Sequence, residues 1–182
     1  MSVAVGSVLL AESDRPAPTL EELFTNHYSW VWRTLRRLGV ADAATDDAAQ
    51  QVFLVAANRL DRIAPGCERT FLTGVALRVA ANARRSASRR RDEPAEGIAE
   101  EHTELPDPEQ LLEQKQRREQ IDRWLDVLPL EQRAPFVLFE LEGFSLAEIA
   151  ASLDVPLGTV KTRLRLARHA FLKRATLEGA EP

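Results

Sequence analysis

Residues 145–175, SLAEIAASLDVPLGTVKTRLRLARHAFLKRA, constrain the fold more than any other stretch of this chain. Ser145 and Glu148 form an S-x-x-E capping box, which fixes a helix start. Ala147, Ile149, Ala150 and Leu153 supply a short apolar face to that helix. DVPLG then reads as a turn, with Asp154 suited to capping, Pro156 to a first helical position and Gly158 to relieving crowding. The next helix points Val160, Leu164 and Ala167 inward and leaves Lys161, Arg163, Arg165 and Arg168 largely on its other faces. This is the order of a helix-turn-helix, whose second helix enters a major groove by its N-terminal half. Bases are read there by Arg or Lys donors and by short side chains such as Thr, while other cations hold phosphates. Thr159, Lys161 and Thr162 are the base-reading candidates, and Arg163, Arg165 and Arg168 suit either task. The plainer alternative is a solvated basic helix at the end of a bundle. The capping box, turn and basic helix standing in the right order favour the DNA reader.

The overall charge points the other way. Of 182 residues, 28 are acidic and 24 basic, for a formal net charge of −4. Counting by segment reverses the inference. Residues 19–91 hold 12 basic and 7 acidic groups, a balance of +5, and residues 143–176 hold 6 and 2, a balance of +4. Residues 92–122 hold 3 and 11, a balance of −8. Two basic segments therefore flank an acidic one. The stretch DEPAEGIAEEHTELPDPEQ has three prolines, a glycine and no sustained apolar period, so it reads as a linker. Its charge is solvation, or a competitor with DNA for the basic faces.

The remaining segments read helical, with no convincing alternating strand. A first helix is expected from about Thr19 to Leu38, with an apolar stripe of Leu20, Leu23, Phe24, Val31 and Leu35 and a stop at Gly39. A second begins near Thr45 or Asp46 and carries Ala49, Val52, Phe53, Ala56 and Leu60. DRIAPGCER is a loop, and a third helix starts near Thr70 with Phe71, Leu72, Val75, Ala76 and Val79. After the linker come a helix ending near Leu128–Pro129, one through PFVLFELEG that either starts or bends at Pro135, and the final pair. The expected fold is all-α: a tail over 1–18, a helical domain over 19–91, an acidic linker over 92–110, a helix-turn-helix domain over 111–177 and a tail over 178–182. With 45% hydrophobic residues the chain has enough apolar side chains for a core, and no apolar run approaches the ~20 residues of a membrane span. One cysteine, Cys67, and three scattered histidines exclude a disulfide framework and argue against a metal or Cys/His catalytic site. No cofactor, metal, small-molecule substrate or membrane insertion is expected.

The first domain also offers nucleic acid a surface. Arg84, Arg85, Arg89, Arg90 and Arg91 make a phosphate-binding patch at a helix end, and the loop NRLDRIAPGCERT beside it suits the capture of an unstacked base. A soluble helix end would look similar. Trp30, Trp32 and Phe53 fit a core better than a stacking platform, and Cys67 is a passive loop residue. TDDAAQQVFLVAANRL presents Asp46, Asp47, Gln50 and Gln51 on a polar side behind an apolar stripe. That is either an ordinary amphipathic helix with acids favourably placed at its N-terminus, or a dock for a basic protein partner.

Taken in order, these motifs resemble bacterial RNA polymerase sigma factors of the extracytoplasmic-function group. DDAAQQVFL is similar to that family's D-x-x-Q-x-x-F-[LI] segment, FLTGVALRVAANARRSASRRR to its W-L-x-x-[IV]-A-x-N…R-R-x-x-R segment, and LPLEQRAPFVLFELEGFSLAEIAASLDVPLGTVKTRLRLAR to its C-terminal domain. The likeness covers roughly residues 19–176. It implies a cytoplasmic, non-enzymatic initiation factor that binds core RNA polymerase through the β′ clamp helices and the β flap. The polymerase contact falls to Asp46, Asp47, Gln50 and Gln51. The melted minus-ten element falls to the Asn58–Thr70 loop and to Asn58, Arg59, Arg62, Arg78, Asn82, Arg84 and Arg85. The minus-thirty-five element of promoter DNA falls to Thr159, Lys161, Thr162, Arg163, Arg165 and Arg168. The likeness also implies an anti-sigma factor as partner. Phe71 stands where the family usually has Trp, Arg78 where Asn is frequent, Ala57 where Trp is common, and Arg165-Leu166 where an aromatic followed by Arg is common. The competing reading is an autonomous helix-turn-helix regulator whose first domain senses or dimerises.

Overall fold

The computed structural model describes residues 18–90 and 119–177; residues 1–17, 91–118 and 178–182, which take in the linker expected over 92–110, the tail expected over 178–182 and all but the last residue of the tail expected over 1–18, lie outside them. Every regular element among the described residues is helical. Helix α1, Leu20–Arg37, opens on a capping box. The Thr19 hydroxyl accepts the Glu22 amide at 3.2 Å, and the Glu22 carboxylate takes the Thr19 amide at 2.8 Å. It stops where Gly39 adopts φ +89° and the amides of Gly39 and Val40 fold back onto the carbonyls of Arg36 and Leu35 at 2.8 and 3.1 Å. That is a Schellman ending, and it needs a residue at ease in the left-handed region.

Helix α2, Thr45–Ala57, and helix α3, Glu68–Arg90, complete the first unit. Leu23, Val31 and Leu35 of α1 are buried with Ala49, Val52, Phe53 and Ala56 of α2 and Leu72, Val75, Ala76, Val79 and Ala80 of α3. Three expectations shift. Leu20 and Phe24 stay 39% and 46% exposed, because no described element covers the groove between the start of α1 and the end of α2. Together with Thr25, Gln50, Phe53 and Leu54 they line a cleft of about 620 Å³. Leu60 falls outside α2, in a single 3₁₀ turn at Leu60–Arg62. Helix α3 starts two residues earlier than Thr70, since the Cys67 carbonyl already accepts the Phe71 amide at 2.9 Å.

The second unit begins with a helix over 119–126 (α4) and continues through α5, Leu130–Phe136, α6, Leu146–Leu153, and α7, Leu157–Leu177. Pro135 neither starts α5 nor ends it. It is buried inside the helix, and the turn that follows, Val137–Leu141, widens to a π-helix. Proline donates no amide hydrogen and its ring crowds the preceding turn, so a wider register just beyond it relieves both demands. The widened turn closes with the Glu142 amide on the Val137 carbonyl at 3.1 Å.

The helix-turn-helix forms with different local chemistry from that expected of its turn. Ser145 and Glu148 make the capping box, the Glu148 carboxylate accepting the Ser145 amide at 2.8 Å. Asp154 does not cap the start of α7. It ends α6 with φ +53°, a conformation that Asp tolerates better than most side chains. Pro156 sits one position before α7, its carbonyl accepting the amides of Thr159 and Val160 at 2.9 and 3.2 Å. Gly158 relieves no crowding, since a β-carbon there would meet nothing within 4 Å. Ala147 is exposed, so the inner face of α6 is Ile149 with half-buried Ala150 and Leu153. Val160, Leu164 and Ala167 of α7 are buried as expected. The buried side chains of the two units form one continuous apolar cluster.

Candidate nucleic-acid and polymerase interfaces

On α7 the six sequence candidates separate by environment. Lys161, Thr162 and Arg165 are exposed, and Thr159 is half-buried at the helix start. The Thr162 hydroxyl donates to the Gly158 carbonyl at 3.0 Å. Arg163 and Arg168 are engaged by acids of α5 and of the π turn that follows it. Arg163 Nη2 lies 3.3 Å from Glu131 Oε2, and Arg168 Nε lies 2.5 Å from Glu140 Oε1, with its guanidinium over the Phe139 ring. The open cationic face near the start of the helix is therefore Lys161 and Arg165. Arg168 is already neutralised by a close partner.

On α3, Arg78, Asn82 and Arg85 fall at i, i+4 and i+7 and share one exposed face. Arg85 Nη2 donates to Asn82 Oδ1 at 2.6 Å, presenting the pair as a unit. Arg84 does not join them. It is half-buried and passes over Gly39 to donate from Nη1 to the Leu38 carbonyl at 3.2 Å, so it caps the end of α1. Arg59 and Arg62 are exposed in the loop before α3, and the Asn58 side-chain amide donates to the Leu54 carbonyl at 3.0 Å.

On α2, Asp47, Gln50 and Gln51 are exposed. Asp46 differs from them: its Oδ1 accepts the Tyr28 hydroxyl at 3.1 Å and the Trp32 indole at 3.0 Å, which anchors α2 to α1. Burial, and then the bond to Asp46, push the Tyr28 hydroxyl above its ordinary pKa.

Sequence reasoning missed a cluster at the junction of the two units. Glu142, which closes the π turn, keeps only 4% of its side chain exposed. Its carboxylate accepts from Trp30 Nε1 at 2.6 Å, Thr34 Oγ1 at 3.3 Å and Arg37 Nη1 at 2.7 Å, and lies 3.6 Å from Arg69 Nη2. Beside it Arg133, 1% exposed, donates to the Arg36 and Arg37 carbonyls at the end of α1 and to Asp126 Oδ1 at 2.7 Å. Desolvation lowers the Arg133 pKa, and desolvation raises that of Asp122 against the opposing pull of Arg36 and Arg133. Partners this far apart along the chain leave no local signal.

Family comparisons agree with this division into two units. Residues 23–90 match the family model for sigma-70 region 2, and residues 118–170 match that for sigma-70 region 4. The ECF RNA polymerase sigma factor SigE of Mycolicibacterium smegmatis is 30% identical over 96% of this chain and 70% of that protein. The chain belongs to the ECF sigma factors. A second relative, the ECF sigma factor SigD of Mycobacterium tuberculosis, is 33% identical over 78% of this chain and 64% of its own length. A solved structure of CnrH in complex with the cytosolic domain of CnrY shares the fold at a TM-score of 0.63 and 20% identity, covering 89% of each chain. Membership makes this sigma factor a protein that directs transcription initiation. It also displaces the autonomous regulator, because both regions are present in the order a sigma factor has them. Among the described residues, no helix is long and apolar enough to cross a membrane, and no group of three or more His, Cys, Asp or Glu side chains could hold a metal.

Proposed function

We propose that this ECF sigma factor docks on core RNA polymerase through the exposed Asp47, Gln50 and Gln51 of α2 and reads its promoter at two places. The exposed α3 face of Arg78, Asn82 and Arg85, with Arg59 and Arg62 of the preceding loop, takes the single-stranded minus-ten element. The start of α7, with Thr159, Lys161, Thr162 and Arg165, takes the minus-thirty-five duplex. The observation that supports this most directly is that an acid-amide face and two cationic faces stand exposed on three separate helices. An acidic and amide-rich helix suits a basic helical partner, while exposed arginines beside a loop suit a displaced strand. The chain supplies recognition and strand capture without chemistry of its own, acts in the cytoplasm, and is held in check by an anti-sigma protein. The β′ clamp helices and β flap are the polymerase elements it meets.

The test is reconstitution of purified chain with core polymerase and sequencing of the transcripts produced from a genomic template library. A defined set of starts that share upstream elements is the expected result. Failure to start specifically at any template would overturn the reading. Asp47→Ala with Gln50→Ala should abolish those transcripts through lost polymerase binding, leaving the melting temperature unchanged.

A further inference from the structure

Leu20, Phe24 and Leu54 stand 39%, 46% and 64% exposed around the cleft between the start of α1 and the end of α2. Single apolar side chains on a surface need no explanation, but three around one concavity of about 620 Å³ do. The walls are preformed. The Phe24 ring lies 5.1 Å from that of buried Phe53 and 4.8 Å from that of Tyr28, so Phe24 is held at the rim by its neighbours. Glu21 is the one charged residue in the lining, and Thr25 and Gln50 the two polar ones. An occupant that fits this surface is apolar and uncharged.

We infer that the chain's own residues 8–11, Val8-Leu9-Leu10-Ala11, fill this cleft and thereby compete with core polymerase for Gln50. These four lie outside the described residues, in a run from Val3 to Ala11 that holds no charge and whose one polar side chain is Ser7. The segment reaches. Leu10 stands ten residues ahead of Leu20, about 33 Å of extended chain, whereas the cleft runs about 8 Å along α1 from Leu20 to Thr25. Between them Ser13-Asp14-Arg15-Pro16 supplies the residue types of a chain reversal. Tethering also decides between occupants. A short linker holds its end at an effective concentration of about a millimolar, so a small apolar contact suffices. A second copy has no such advantage, and eight lining residues fall far short of the roughly 20–30 a side of a stable interface. Gln50 lines the cleft and is exposed on the α2 face assigned above to polymerase, so the occupant covers part of that face. The competition rests on the docking role proposed for Gln50; the filling of the cleft does not.

The experiment pairs Ser7→Cys with Thr25→Cys in a Cys67→Ser background of the full chain, which sets a thiol beside the contact and keeps every apolar anchor. The control pairs Ser7→Cys with Arg33→Cys, exposed on α1 but outside the cleft lining. Thr25 and Arg33 stand 18 and 26 residues from Ser7, so chain entropy alone separates their closure by less than about twofold. In a glutathione buffer, with products read by peptide mass, the Thr25 pair should close roughly tenfold more readily than the Arg33 pair. Leu54→Asp should bring it to the control level, with helix content retained by circular dichroism. Leu9→Asp with Leu10→Asp should do the same from the other side of the contact, and serves if Leu54→Asp fails to fold. Without the added cysteines, Leu9→Asp with Leu10→Asp should tighten binding to core polymerase roughly tenfold, since every chain is then competent to dock. Equal closure of the two pairs, or closure that survives both charged variants, would overturn the filling of the cleft. Disulfides between two chains in place of the internal one would assign the cleft to a second copy and overturn it as well. Internal closure with polymerase binding unchanged or weakened in Leu9→Asp with Leu10→Asp would overturn the competition. The disulfide readouts use no polymerase, so the filling of the cleft and the docking role of Gln50 fail separately.

Discussion

The indole Nε1 of Trp32 donates to Asp46 Oδ1 at 3.0 Å, and the same oxygen accepts the Tyr28 hydroxyl at 3.1 Å. Asp46 therefore joins α2 to α1, whereas its neighbour Asp47 is exposed. Asp46→Ala should cost about 1–3 kcal/mol of folding stability, because it leaves two half-buried donors unpaired. Asp47→Ala should leave stability within about 0.5 kcal/mol of the parent and weaken polymerase binding instead. Urea unfolding beside a polymerase pull-down separates the two. Equal losses of stability in both variants would count against this assignment.

What could be read in the sequence divides by range. The Ser145–Glu148 box, the stop at Gly39 and the buried Val160, Leu164 and Ala167 are written in spacings of three to seven residues, and each stands where it was expected. The errors begin where one residue type serves two conformations. Asp154 offered a helix-starting cap and delivered a left-handed helix end, and Pro135 was absorbed by a π turn that no spacing rule anticipates. The bond from Arg84 to the Leu38 carbonyl spans 46 residues, so the arginine run around it carries no local sign of that partner. The Glu142 cluster joins partners 73 to 112 residues apart, so neither periodicity nor local charge could show it.

Gly39 and Arg84 make a second prediction. A β-carbon on Gly39 would stand 1.9 Å from Arg84 Nη1, in a backbone conformation with φ +89°. Gly39→Ala should destabilise by about 1–2 kcal/mol, combining left-handed strain with displacement of the guanidinium. In the background of Arg84→Ala the same change should cost less, since only the strain remains. A double-mutant cycle measures the difference. Strictly additive losses would show that Arg84 does not press on this turn.

The capping box of α6 gives a prediction with a definite pH sign. Hydrogen bonds from the Ser145 side chain, and then from its backbone, hold the Glu148 carboxyl below its ordinary value of 4.5. A carboxylate whose folded pKa is depressed contributes stability above the unfolded value, and that contribution is lost as pH falls through the folded one. Ser145→Ala should cost about 1 kcal/mol at neutral pH. Glu148→Gln should be less stable than the parent at neutral pH, with the gap closing as acid protonates Glu148. Unfolding titrations across the carboxylate range check this, and a gap that widens in acid would contradict the assignment.

The recognition helix carries the last prediction, because its cations are unequal before DNA arrives. Lys161 and Arg165 are exposed, whereas Arg168 lies 2.5 Å from Glu140 and brings a neutral pair to the interface. Lys161→Ala should relax preference at one base position, a loss of about 1–3 kcal/mol against the cognate base only. Arg165→Ala should weaken binding evenly across sequences and reduce the slope of log affinity against log salt by about one. Arg168→Ala should change that slope far less, since removing one member of a neutralised pair releases little counterion. Affinities of the polymerase-bound sigma factor for promoter duplexes, measured at several salt concentrations, distinguish the three. Equal slopes for Arg165→Ala and Arg168→Ala would mean that the Glu140 pair opens on DNA and that both arginines reach phosphate.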